Sequence, residues 1–420
     1  MTKAEVFEAV EDHNVNFIGL WFTDILGQLK SVTIPISELD TAFDEGMGFD
    51  GSSIKGFARI DESDMLAKPD PATFQIIPWK TRDEAVARMF CDILQPDGSP
   101  YEGDPRYILK RNLEKLQKEY NYIFYIGPEL EYFYLKDDKT LEVLDKGGYF
   151  DLTTLDAGSD IRRHTVMTLE AMGIDVEASH HEVAPSQHEI DLRYADALTM
   201  ADQMMTYRIL VKEIAQQHGC YATFMPKPII GVNGSGMHVH QSLFRGNRNA
   251  FFDPDEEEEY QLSNVAMRYI AGLFRHASEI TSITNQWVNS YKRLIPGYEA
   301  PVYITWARRN RSTLIRVPMY KPGKEEATRI EFRSPDPACN PYLAFSVMLA
   351  AGLAGIRNKY ELPPPTEKDV YLMSASERER EQIETLPGSL IEAITLTENS
   401  ELVREALGEH TFQNFVISKK

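Results

Sequence analysis

The sequence is short of cysteine, of positive charge and of long apolar runs, and each shortage closes off a class of function. Cys91, Cys220 and Cys339 are its only cysteines. Few, odd in number and widely spaced, they suit a reducing cytosol. Lysine and arginine together number 44 against 64 aspartates and glutamates, a net charge of −20. Such a surface repels phosphate backbones and anionic membranes, so neither a nucleic acid nor a membrane is an expected partner. The longest apolar stretch, YLAFSVMLAAGLAGI (342–356), is too short to span a bilayer and predicts a buried helix. The first residues, MTKAEVFEAVEDHNVNFIG, carry no apolar signal core. A cytoplasmic protein is therefore expected. Also missing are the phosphate loop G-x-x-x-x-G-K-[ST] and a G-x-G-x-x-G after a strand, so any nucleotide must be bound by another route.

What is present is a chain of 420 residues, 43% hydrophobic, enough for a large core and two domains. Residues 1–94 alternate short strand-like runs (NFIGLWFTD, QLKSVTIP, FQIIPW, ARMFCDIL) with Gly, Asp and Ser turns after one helix. The segment QPDGSPYEGDPRY (95–107) is dense in Pro and Gly and marks the boundary. The expected division is 1–103 and 104–420. Asp104 then caps a helix with Pro105 at its first position and an apolar face of Ile108, Leu109, Leu113 and Leu116. Ser159 and Gly173 predict the cap and stop of a second helix. Beyond the boundary strands and helices mix without a βαβ rhythm, which predicts an antiparallel α+β fold.

The chemistry sits in acidic residues placed where strands should be buried. In YIFYIGPELEYFYL (122–135), Glu129 and Glu131 are two residues apart. On a strand they share a face at roughly 6–7 Å, an arrangement that is costly without a proton or a cation between them. SHHEVAPSQHEIDL (179–192) adds Glu182 and Glu189, NGSGMHVHQSLF (233–244) adds His238 and His240, and TRIEFRSPDP (328–337) adds Glu331 between Arg329 and Arg333. Individually, His240 reads as a satisfied core histidine and each glutamate as an ion-pair partner. Together, five carboxylates and one imidazole form a hard, oxygen-rich set suited to Mg²⁺ or Mn²⁺ rather than zinc. A two-metal site follows if Glu129 and Glu131 serve different ions. Lys292, Arg293, Arg311, Arg316, Arg329 and Arg333 form a cationic counterpart suited to carboxylate and phosphate oxygens. Anions held between guanidinium groups and divalent ions are what phosphoryl transfer needs.

These segments also carry a resemblance. FDGSS (49–53), GPELEYF (127–133), KGGYF (146–150), HHEVAPSQHEID (180–191), NGSGMHVH (233–240), NSYKRLIPGYEAP (289–301), RNRSTLIR (309–316) and RIEFRSPDPACNPY (329–342) resemble, in order, the motifs of type I glutamine synthetase. The resemblance covers nearly the whole chain. It implies a small β-grasp-like N-terminal domain and a larger catalytic domain whose antiparallel sheet is flanked by helices. It implies ATP-dependent ligation of ammonia to L-glutamate through a γ-glutamyl phosphate intermediate, for nitrogen assimilation. By position, Glu131, Glu182 and Glu189 would hold one divalent cation, and Glu129, His238 and Glu331 the other. Arg293 and Arg333 would clamp glutamate, with Asn233 and Gly234 at its amino-acid end. Arg311, Arg316 and Arg329 would bind phosphate, Arg311 being counted among the catalytic residues, and Ser242 would contact ATP. Asp50 of an adjacent subunit would take a proton from ammonium. Ser53, Tyr149 and Glu299 would complete that pocket, with Glu299 on a closing flap.

Departures from the family pattern qualify the expectation. MYKPGKEEATR (319–329) differs in length, so Lys321 and Lys324 both remain candidates for an ATP-side lysine. The region 359–380 lacks the loop that carries a regulatory adenylylated tyrosine, which points to the shorter branch. There Arg59 matches an arginine linked to feedback by glutamine. The implied assembly is a homo-oligomer, a hexameric ring with shared active sites, stacked as a dodecamer. The ending at ALGEHTFQNFVISKK, where relatives continue into a ring-locking segment, keeps the single hexamer open, as is a regulatory protein partner. A ligase for a bulkier amine is the rival reading. Asp50, Ser53, Tyr149, Glu182 and Glu299 favour ammonium, because an alkylamine gains less from a small carboxylate-walled pocket.

Overall fold

The computed structural model describes residues 1–420 except 55, 57–63, 80–84, 153, 255–260 and 322. Arg59, and most of an acidic run DPDEEEEY (253–260) whose charge block predicts a solvated loop, thus lie outside the described residues. The first part is a mixed sheet. Its central strand Val15–Thr23 pairs antiparallel with Leu29–Pro35 and parallel with Ala85–Leu94, which continues antiparallel to Asp64–Pro69 and then Met47–Asp50. The helices Lys3–Asp12 and Leu39–Asp44 pack on it, and Val6, Ile18, Leu20, Leu39, Met89 and Ile93 share its core. This is the β-grasp-like unit expected. Strands Met47–Asp50 and Asp64–Pro69 and helix Leu39–Asp44 are additions to the elements predicted.

The second part is built on a sheet of ten strands. Its main path runs Trp306–Ala307, Ile315–Arg316, Ile330–Phe332, Met237–Arg245, Ile123–Leu135, Gln187–Leu192, Val176–His181. Every pairing along it is antiparallel except the short first one. One face of the sheet and the helices Ala197–Gln217, Asn264–Thr284 and Pro341–Asn358 enclose the largest core. The apolar run 342–356 is the inside of that last helix, as predicted. Its backbone lies close against Asn264–Thr284. A Cβ on Gly355 would come within 1.9 Å of the Arg268 carbonyl oxygen, and one on Gly272 within 2.1 Å of that of Ala351. Among the described residues no helix is long and apolar enough to cross a membrane.

Helix Pro105–Tyr120 begins as the sequence dictates: Asp104 Oδ1 accepts from Arg106 N at 3.0 Å, with Pro105 in the first turn. The helix Ser159–Ala171 begins otherwise. Its cap is Gly158, and Ser159 is already helical with no side-chain capping bond. The cap position has room only for glycine, since a Cβ on residue 158 would stand 2.6 Å from the His188 ring. At the end of the boundary segment, buried Arg106 pairs with Asp92 at 2.6 Å, Asp70 at 2.8 Å and Asp202 at 3.0 Å, the last also accepting from Tyr342 Oη at 2.6 Å. One guanidinium thus joins the first sheet to helices of the second part.

Candidate active site

The opposite face of the large sheet lines a cavity of about 940 Å³. Strand register makes it chemical. Glu129 lies across from His238 on one side and Asp191 on the other, Glu131 across from Glu189, and Glu331 across from His240 and Arg316. The two glutamates of the central strand share a face and then divide. Glu129 Oε2 is 3.3 Å from His238 Nδ1, its Oε1 is 2.8 Å from His240 Nε2, and Glu331 Oε1 is 3.6 Å from His238 Nδ1. Glu131 turns toward Gly236 N (2.9 Å) and Gln187 Nε2 (2.7 Å), both donating to its Oε2.

Two groups of ligand atoms form, each within 4.8 Å: Glu129, His238 and Glu331, and His180, Glu182 and Glu189. The first is the triad expected. In the second His180 stands with Glu182 and Glu189, its Nδ1 3.6 Å from Glu182 Oε1 and its Nε2 3.9 Å from Glu189 Oε1. Glu131 adjoins this group as the cross-strand neighbour of Glu189. The signal for His180 was present in the HH pair of 180–181, but one-residue spacing on a strand sends the two rings to opposite faces, and the sequence alone does not say which is inside.

The electrostatics separate the groups. Burial and the nearby Glu131 charge push Glu182 up to about 8. Burial, Asp191 and Glu131 hold Glu189 well above the usual carboxylate range, and Asp191, raised by burial, has a buried oxygen without a partner. Burial is the larger cause and accumulated negative charge adds to it; a cation relieves the charge. On the other side burial works upward too, yet the Arg333 guanidinium and the histidines bring Glu331 down to about 2. Glu129, partly buried and flanked by His240 and His238, is likewise held well below its ordinary value. The donor chemistry of both groups, carboxylate with single imidazoles, fits hard divalent cations.

The cationic wall is partly self-satisfied. Arg316 Nε and Arg333 donate to Glu331, the latter at 2.5 Å. Arg293 lines the cavity while donating to the carbonyls of Ser334, Pro335 and Arg333 at 2.7–3.2 Å. Arg311, Tyr149, Asn233, Gly234 and Glu299 line it as well. Asn233 Nδ2 donates to Glu299 Oε2 at 2.9 Å, and Glu299 holds a left-handed φ of 59°. Gly234 admits no side chain, since a Cβ would stand 2.3 Å from the Pro226 carbonyl oxygen.

Four of the expected residues stand apart from this lining. Arg329 donates through Nε to His240 Nδ1 at 3.2 Å, so it acts on Glu129 through that ring. Ser242 is buried within the strand Met237–Arg245. Asp50 and Ser53 are exposed on the edge of the small sheet, where Asp50 Oδ1 accepts from Ser52 N at 2.9 Å. Conversely Asp191, Gln187, Tyr298, Glu367, Asp369 and Tyr371 line the cavity without having been singled out. His240 is a satisfied histidine, as its simplest reading had it, but satisfied by a site carboxylate.

Comparison with known proteins agrees with this geometry. The family model for the glutamine synthetase catalytic domain matches residues 102–420, and that for its beta-Grasp domain matches 14–96. A glutamine synthetase of Mycolicibacterium smegmatis is 54% identical over all of this chain and 94% of its own. One from Methanosarcina mazei is 52% identical over all of this chain and 93% of its own. Among solved structures, Plasmodium falciparum glutamine synthetase superposes with a TM-score of 0.89 at 26% identity, covering 100% of this chain and 95% of that one. A GmaS/ADP complex does so with a TM-score of 0.88 at 29% identity, covering 98% and 94%.

Proposed function

The chain belongs to the glutamine synthetase family, and on that premise we propose that it ligates ammonia to the γ-carboxylate of L-glutamate with ATP, giving L-glutamine for nitrogen assimilation. The observation that carries this is the juxtaposition of two acidic ligand groups with Arg311, Arg316 and Arg333 around one cavity. A γ-carboxylate is a poor electrophile, so it is first made into γ-glutamyl phosphate, from which ammonia displaces phosphate. Divalent cations and ATP are used here; when bound, the cations neutralise phosphoryl charge as it moves. We assign Mg²⁺, or Mn²⁺, as the ions. Glu129, His238 and Glu331 would hold one, and Glu131, Glu182 and Glu189 the other, with His180 beside them.

Arg293 and Arg333 bind the glutamate carboxylate, and Asn233 and Gly234 its amino-acid end. Arg311, Arg316 and Arg329 serve the phosphates and Ser242 the nucleotide. Ammonium is unreactive until deprotonated. Tyr149, Glu182 and Glu299 offer it a polar pocket, and Glu299 accepts the proton left on nitrogen after attack while its segment excludes water. Asp50 and Ser53 come from an adjacent subunit to complete the pocket, a reading supported by their exposure away from this chain's own cavity. The protein is an oligomer; we propose the hexameric ring, stacked as a dodecamer, with the domain boundary near residue 103. Three free cysteines, two of them buried, support a cytoplasmic location. A phosphate-release assay with glutamate and ATP, comparing ammonium with methylamine and ethylamine, tests the reaction. Preference for an alkylamine overturns it.

A further inference from the structure

Behind the cavity, Asp145, Asp156, His181 and His188 bring ligand-type atoms within 4.8 Å of one another. The pattern invites a third cation, but its donors are already matched. Arg162 gives Asp156 two hydrogen bonds, at 2.9 and 2.7 Å, and gives His188 Nδ1 one at 2.8 Å. A guanidinium only donates, so Nδ1 of His188 is the acceptor and that ring is neutral. Asp145 accepts from His181 Nε2 at 2.9 Å, Ser186 N at 2.9 Å, Gly147 N at 3.2 Å and Ala157 N at 3.0 Å. A cation would have to evict a buried guanidinium from its carboxylate. The cluster is a scaffold.

What it supports is specific. His181 Nδ1 lies 2.7 Å from the Glu182 carbonyl oxygen, which can only accept. The Glu182 N–H donates to the Gln187 carbonyl at 2.7 Å, so the peptide groups on both sides of this residue are tied. The His181 carbonyl accepts from Phe150 N at 3.1 Å, next to Tyr149. The loop packs on the ring with nothing between, since a Cβ on Gly147 would stand 2.7 Å from His181 Nε2. Asp145 and His181 are therefore the join between the loop that carries Tyr149 and the turn that carries Glu182.

We infer that His181, held by Asp145, is a positioning residue that fixes Glu182 relative to Tyr149, and so sets the site of one divalent cation and of ammonium. This rests on the ligase reading above. Groups that hydrogen-bond to a metal-ligating residue from outside the ligand set orient it in many metal sites, and their loss costs roughly 10- to 100-fold in affinity or activity. The test uses the assembled full-length enzyme. His181→Gln keeps one donor group that cannot serve Asp145 and Glu182 together, while Asp145→Asn keeps the Nδ1 bond and loosens the loop. His181→Gln should raise the KM for ammonium and the Mn²⁺ dissociation constant, read by electron paramagnetic resonance without nucleotide, by roughly 10-fold or more. The KM for ATP should stay unchanged. Asp145→Asn should move the same two quantities less, and it carries the test if His181→Gln does not fold. Equal losses for ammonium, glutamate and ATP, or a lower melting temperature with unaltered KM values and Mn²⁺ affinity, overturn the inference. If the wild type makes no glutamine, the ligase reading fails instead, and the Mn²⁺ titration alone decides the role of His181.

Discussion

Occupation of the acidic cavity by a divalent cation should expel a proton, and the structure says roughly how much. Glu182 is pushed to about 8 by burial and by the charge of Glu131. In the metal-free protein at about pH 7 its carboxyl then holds about 0.9 proton, by the ordinary titration relation. A cation needs the carboxylate, so binding at about pH 7 releases about 0.9 proton from Glu182, and more with Glu189. Apparent affinity should rise at least about tenfold per pH unit until pH passes about 8, the slope set by Glu182 alone and steeper where Glu189 also gives up a proton. Stability follows with a definite sign. The folded value lies above the unfolded one, so this contribution is complete below the ordinary value of 4.5 and is lost as pH climbs through about 8. The full displacement is worth about 5 kcal/mol, which bound cation restores. Calorimetric titration of Mg²⁺ in two buffers of different ionisation enthalpy counts the protons, and melting curves with and without the ion follow the stability. Glu131→Gln should reduce the proton count by removing the nearest repulsive charge. A proton count of zero near neutral pH, with a metal-free melting temperature that does not fall toward alkaline pH, refutes the reasoning.

Glu331→Gln should act oppositely, because Arg333 and the histidines outweigh burial and bring this carboxyl down to about 2. Its contribution is present above the ordinary value of 4.5 and fades as pH falls toward 2; urea unfolding in chelator should show a loss of about 3–5 kcal/mol in the variant at neutral pH and a flatter acid limb. Asp50→Ala should depress turnover with ammonium more than with hydroxylamine, which is largely unprotonated at neutral pH; equal loss with both in steady-state assays contradicts a proton-accepting role. Arg106→Ala leaves Asp70, Asp92 and Asp202 without their common cation. Unfolding should show about 3–5 kcal/mol of lost stability, and a change below about 1 kcal/mol places the join between the two parts elsewhere.

Much of this protein is written in local spacing. The run 122–135 is strand-forming by composition, and the two-residue interval puts Glu129 and Glu131 on one face whatever else happens. Asp104-Pro105 starts its helix because a side-chain acceptor and a missing N–H suit a first turn. The types of residue that would hold a hard cation are legible for the same reason, since ligand chemistry belongs to the side chain. The failures are equally physical. The cap is Gly158 and not Ser159, at a position where a ring from another strand occupies the space a side chain would need. His180 and His181 are alike as letters, yet one faces the cavity and the other is held by Asp145.

Residue alternation determines which face a side chain takes, but not which strand will lie beside it. That choice depends on hydrogen-bonded register between segments far apart in the chain. Tertiary structure alone decided that Glu129 meets His238, that Glu131 meets Glu189, and that Glu331 meets Arg316 across their ladders. It also left Asp50 and Ser53 on an outer edge, away from the cavity their own chain encloses.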